Sequence, residues 1–271
     1  MYDEKVGKKN YNVSGGKMKK HNIVLWICFL VLLVFRLVVK NGAFLYWSIL
    51  AVISSGLSIF LIVKNKLPSK KYIIISIVFA VLSTVAYLGY QQNPFVLIYG
   101  LRAGIPTLLS SFAVFSVMEK KGGYKLLSNE KRLSPLISVL IAIAAGAVLS
   151  VINILISKKE VSFDFSLLKL LVCLNPAIYE EMACRAIFMA FCINFINDTE
   201  EKKMNIFDII TMYFMMIVPH TVIHGYGFLP TLLLCALFGL PFALLQRKRD
   251  IASAMISHGI VDAVRFTLTG F

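Results

Sequence analysis

Apolar stretches of about 18–22 residues recur along the chain, long enough as helices to cross roughly 30 Å of hydrocarbon. Short charged or turn-forming segments such as Lys64-Asn65-Lys66-Leu67-Pro68-Ser69-Lys70-Lys71 separate them. The pattern predicts spans near 22–39, 43–63, 72–90, 95–118, 136–157, 206–224, 228–246 and 251–270. A ninth stretch, 166–196, is long for one crossing and contains Pro176. A tilted or broken helix is expected there, since such breaks persist where backbone lines a cavity. The alternating ten-residue segments of a membrane β-barrel do not occur. The expected fold class is therefore all-α: a polytopic transmembrane helical bundle of about 8–9 spans, with its active-site core in the C-terminal half. Three regions follow: a basic tail at 1–20, N-terminal transmembrane helices at 21–135, and a core at 136–271. No internal repeat is evident.

Composition agrees with this reading. Of 271 residues, 58% are hydrophobic and 15% charged, where soluble domains carry about 25% charged residues. The net charge of +14 would suggest nucleic acid in a soluble protein. Here the cations concentrate between spans, so the positive-inside rule accounts for them and nucleic-acid binding is not expected. The polar tail 1–20, with six lysines, is expected to be disordered and cytoplasmic. That orientation makes 64–71, 119–135, 197–205 and 247–250 the cytoplasmic loops, and these hold most of the loop lysines and arginines. The opening basic run and apolar stretch read as an uncleaved first span, because Arg36 interrupts them and no small-residue cleavage site follows. The five cysteines all fall in predicted spans without CxxC spacing, so free buried thiols are expected. Lys-, Ile- and Asn-rich usage points to a bacterial plasma membrane.

Three polar clusters break the apolar C-terminal half: Glu180-Glu181-Met182-Ala183-Cys184-Arg185, His220 with His224, and His258-Gly259-Ile260-Val261-Asp262. An ionisable residue at the bilayer centre costs roughly 2.5–3.5 kcal/mol, so Glu180, Glu181, Arg185 and Asp262 facing lipid would cost on the order of 10–14 kcal/mol. They must face one another or a wet cavity. Glu180 and Glu181 diverge by about 100° on a helix. Glu181 and Arg185, four apart, share a face and can pair. Arg185 would then neutralise and orient one carboxylate and leave the other free as a general base. A buried ion pair that only locks helices together is the bland alternative. His220 and His224 can ligate a metal or hold a water, although they lack the intervening Glu of HExxH. Pro219 can kink their span. Asp262 can fix the His258 imidazole, or both can hydrogen-bond a substrate carbonyl. Ser257, adjacent to His258, diverges from it and makes a poor dyad.

The ordered set Glu180-Glu181-x-x-x-Arg185, a later histidine, and His258-x-x-x-Asp262 resembles the CPBP family of intramembrane proteases. That family includes the type II CAAX prenyl proteases and the Abi bacteriocin-processing and immunity proteins. The resemblance covers roughly 136–271. It implies Glu180 as catalytic glutamate, with Glu181 and Arg185 completing its motif, and His258 with Asp262 at the substrate carbonyl or oxyanion. The family's second motif places Phe four residues before a histidine; here His220 occupies the Phe position before His224, and Met216 occupies it before His220. The resemblance favours His224, through the following Gly225-Tyr226-Gly227-Phe228, while the residues alone leave His220 and His224 both open. A divalent metal such as zinc, where one is used, would draw on His224, His220 and His258. The implied partners are membrane lipids and a membrane-associated peptide or protein, either prenylated or a bacteriocin precursor. Two other readings are a non-enzymatic membrane regulator or self-immunity protein on the same scaffold, and a transporter using the clusters as an ion path. The transporter would require paired broken helices in two repeated halves, which the sequence does not show.

Overall fold

The computed structural model describes residues 18–39, 42–89, 95–157, 159–196 and 204–270. The expectations for residues 1–17, the turn Gln91-Gln92-Asn93-Pro94 and most of the loop 197–205 lie outside the described residues. The described chain is all-helical: α1 Lys20–Val38, α2 Ala43–Asn65, α3 Lys70–Val85, α4 Val96–Lys121, α5 Ser134–Ser157, α6 Leu167–Asn175, α7 Ile187–Ile196, α8 Ile206–Ile223, α9 Phe228–Leu234, α10 Leu240–Lys248 and α11 Ile251–Thr269. Among the described residues, eight helices are long and apolar enough to cross a membrane, α9 and α10 counting as one. The long stretch 166–196 is the broken one. Pro176 has no N–H to continue the ladder of α6, and the chain passes through wide i→i+5 turns at Pro176–Glu180 and Met182–Ala186 before α7. A third wide turn, Cys235–Gly239, joins α9 to α10.

Apolar side chains face outward along the helices, as a lipid-facing surface requires: Val52, Val63 and Leu155 are each at least 70% exposed. The centre is built instead from the segment after Pro176. Every residue from Met182 to Cys192 is essentially buried, against α4 and α8. Small residues let the helices close on one another. At Gly146 on α5, an added Cβ would lie 2.9 Å from the Ile260 Cβ and 3.1 Å from the Ser257 carbonyl oxygen on α11. Without that close approach, van der Waals packing between membrane helices is lost. Gly146→Leu is expected to push α11 away and lower the thermal midpoint in detergent by several degrees; Gly146→Ala should cost less. The buried Ser257 hydroxyl has no hydrogen-bond partner. All five cysteines are free.

The two ends of the bundle are tied differently. At one, Ser69 N–H donates to Glu119 (2.8 Å), Arg247 to the Gly123 carbonyl (2.8 Å), and Ile251 N–H to the Lys125 carbonyl (3.0 Å). Asp250 caps α11 by accepting from Ser253 N–H and also accepts from Ser128 N–H and the Ser138 hydroxyl. At this end too, Asp208 of the α8 capping box accepts from Lys19, His21 and Asn22 of α1. His21 stacks on Phe195, whose ring also receives Lys64. At the other end, Arg36 donates to the Gly225 carbonyl (2.9 Å) and Arg102 to the Phe44 carbonyl (3.2 Å). There the segment before α6 pairs with the end of α11, through Ser162 N–H to the Leu268 carbonyl and Asp164 N–H to the Thr267 carbonyl.

Candidate active site

The wide turns after Pro176 aim the two glutamates in different directions. Glu181 is fully buried and held from three sides. Arg185 pairs with its Oε1, His258 Nδ1 lies 2.7 Å from that same atom, and Gln246 of α10 donates to its backbone carbonyl at 3.0 Å. Arg185 is held elsewhere as well: Nε donates to the Met216 carbonyl at 3.1 Å, and Nη2 reaches His220 Nδ1 at 3.3 Å. Its guanidinium lies over the Phe242 ring, 5.5 Å from the centroid. The opposed charges are therefore desolvated together, the condition under which a buried pair is tolerated.

Glu180 turns instead into a cavity of about 680 Å³ lined by polar residues of α5, α8 and α11. Its Oε2 is 2.7 Å from His220 Nε2 and 3.7 Å from His258 Nε2. His258 lies between the carboxylates, with Nδ1 towards Glu181 and Nε2 towards Glu180, and 3.5 Å from Asp262 Oδ2. Phe242 stacks on the His258 ring at 4.5 Å, which fixes its plane. His224 sits one turn further out and exposed, its Nε2 3.3 Å from His220 Nε2, with Tyr226 stacked on it. The structure thus brings Glu180, Glu181, Arg185, His220, His224, His258 and Asp262 into one constellation, and His220 is the histidine in hydrogen-bonding contact with Glu180.

Three residues outside the sequence-derived set complete the site. Gln246 gave only a weak signal, a lone amide that merges with the charged run Arg247-Lys248-Arg249 closing its span. Phe242 gave none. Trp47 comes from α2, far away in sequence, and packs its ring against His220 (5.7 Å), His224 (5.3 Å) and Tyr179 (6.0 Å). Aromatic contacts of this kind are worth about 0.5–1.5 kcal/mol each. Trp47→Ala is expected to loosen both imidazoles and lower kcat/KM of the reaction run at this site by roughly 10-fold, about 1.4 kcal/mol, mostly in kcat. Trp47→Phe should restore much of the loss.

Glu180, His220 and His224 bring three metal-capable donor atoms within 4.8 Å of one another; His258 is not in that set. The hydrogen bonds of His220 tell against a metal there. A guanidinium only donates, so His220 Nδ1 accepts from Arg185 and the ring proton sits on Nε2, where Glu180 accepts it. A ligating imidazole does the reverse, spending one nitrogen's lone pair on the metal and donating from the other. Metal at Nε2 would leave an Nδ1–H against the N–H of Arg185.

The helical bundle thus gathers one glutamate, an arginine, three imidazoles and Asp262 around one cavity, with Glu181 buried behind them. Residues 162–264, which hold the three polar clusters, match the model of the family described as type II CAAX prenyl endopeptidase Rce1-like. The match covers less than half of the chain, and it is a similarity of this segment to that family. Trp47 lies outside the matched segment. No curated protein and no solved structure matches the chain.

Proposed function

We propose that the protein is an intramembrane endopeptidase in which Glu180 activates water without a metal. The observation that carries this reading is the placement of Glu180: one carboxylate oxygen accepts from His220, and the group lines a cavity that His258 also lines. Glu180 takes a proton from water, and the water oxygen attacks the scissile carbonyl carbon. The carbonyl electrons move to oxygen, and that oxyanion accepts from Nε2–H of a doubly protonated His258, whose Nδ1–H donates to the Glu181 carboxylate. The intermediate then collapses, the C–N bond breaks, and the amine leaves with the proton carried by Glu180. Glu181, Arg185 and Asp262 position these groups, and His224 shields and hydrates the outer side of His220. The setting is a bacterial plasma membrane with the N-terminus cytoplasmic, and the substrate is a membrane-associated peptide of the prenylated or bacteriocin-precursor kind.

The test is cleavage of a quenched fluorescent peptide library by the purified protein in lipid nanodiscs. Cleavage that persists after exhaustive chelation, and vanishes in Glu180→Gln, is the expected result. Loss of cleavage on chelation, with recovery on adding zinc, would replace the metal-free scheme by one with metal on Glu180 and the histidines. A cellular phenotype that survives Glu180→Gln would favour the non-enzymatic regulator.

A further inference from the structure

Among the described residues, the cavity runs from the middle of the bundle, at Glu180, Phe242 and His258, to one end of it. Towards that end its lining comes from the last turns of α5 and α8, the second half of α11 and the span of α9, with Ser157, Tyr226 and Arg265 among the residues there. By helix rise, His220 lies about 21 Å from the start of α8 and about 5 Å from its end. This is the end held together by Arg36 with Gly225 and by the strand-like pairing of 162–164 with the end of α11.

Among the described residues, the cavity does not reach the opposite end. Below Glu180 stand Glu181, Arg185 and Gln246, each 0–1% exposed, then the solid packing of Ile187 to Cys192. No described residue of the segments 64–71, 119–135 or 247–250 lines the cavity. That opposite end carries the cations: Lys64, Lys66, Lys70 and Lys71 after α2, Lys120, Lys121, Lys125, Lys131 and Arg132 after α4, and Arg247, Lys248 and Arg249 after α10. Lys19 and Lys20 join them through the α1 contact with Asp208. The open end has Arg36, Arg102, Lys159, Lys169 and Arg265 among the described residues, and acidic residues fall at both ends.

The bias in Lys and Arg between short loops fixes membrane orientation, with the basic side cytoplasmic. We infer that the catalytic cavity opens on the extracytoplasmic face, so that its substrates are peptides, or peptide segments of anchored precursors, that have already crossed the membrane. A translocation step must supply them, and a cytosolic C-terminal peptide has no path to Glu180. The inference rests on the reading of this cavity as the hydrolytic site.

Thiol accessibility in bacterial spheroplasts expressing the full chain tests it, and reads orientation whether or not the protein cleaves anything. Glu160→Cys and Tyr226→Cys place thiols at exposed positions of the open end, and Lys70→Cys at an exposed position of the opposite end. A membrane-impermeant maleimide should label both open-end thiols in intact spheroplasts to the extent seen after lysis. Lys70→Cys should stay at the wild-type background until lysis. Two open-end positions guard against one variant failing to fold. Labelling of Lys70→Cys in intact spheroplasts, or open-end thiols that react only after lysis, would overturn the inference. Loss of cleavage in Glu180→Gln bears on the proteolytic reading alone.

Discussion

Glu180→Gln is expected to reduce peptide hydrolysis by about 10²–10⁴-fold, the usual contribution of a positioned general base, with the fall in kcat and little change in KM. Glutamine keeps the shape of the side chain and a carbonyl oxygen that can still accept from His220 Nε2–H at the 2.7 Å position. The cavity therefore stays formed and the thermal midpoint should shift by no more than a degree or two. Only the capacity to take and return a proton is lost. Glu180→Asp, which keeps the carboxylate but withdraws it by one methylene, should retain intermediate activity. Near-normal turnover in Glu180→Gln would mean that another group holds the water.

Arg185→Met carries the largest expected stability effect. It strips Glu181 of its countercharge and removes the donors to the Met216 carbonyl and His220 Nδ1, all in a fully packed interior. Breaking a buried pair from one side costs about 3–5 kcal/mol, because the surviving charge stays desolvated. Poor folded yield and a strongly lowered thermal midpoint in detergent are expected. The double variant Arg185→Met with Glu181→Leu removes both charges and should recover much of that stability. It should not recover activity, since His258 then lacks the acceptor that holds its Nδ1 and His220 lacks the donor that sets its tautomer. Recovery of activity in the double variant would reduce the pair to a structural lock.

The two variants separate what the adjacent glutamates do. Both sit in one apolar stretch, and both share the insertion penalty that made the stretch conspicuous in the sequence. The protein meets that penalty in two ways. Glu181 is neutralised by Arg185 and His258 in the packed interior, whereas Glu180 lines the cavity beside two imidazoles. Glu180 and not Glu181 borders space that a water could enter, which is why Glu180 is the one assigned the proton transfer.

The sequence by itself determined the helical membrane fold, because span length and loop charge are local properties that need no partner. It also determined which residues form the polar site: charges inside apolar runs must find one another, and the i,i+4 spacing of Glu181 with Arg185 and of His258 with Asp262 set the pairs on common faces. It predicted a break in the long stretch 166–196, since Pro176 cannot complete a helical hydrogen bond. Only the tertiary structure decided the rest. His220 meets Glu180 while His224 stands further out, because the approach of α8 to the wide turns after Pro176 is a packing outcome that a four-residue spacing cannot rank. Trp47, Phe242 and Gln246 join the site from other helices, where nothing along the chain distinguishes them from lipid-facing or span-ending neighbours. The side on which the cavity opens is likewise a property of how helix ends are gathered, and it acquires direction only when set beside the cations gathered at the opposite end.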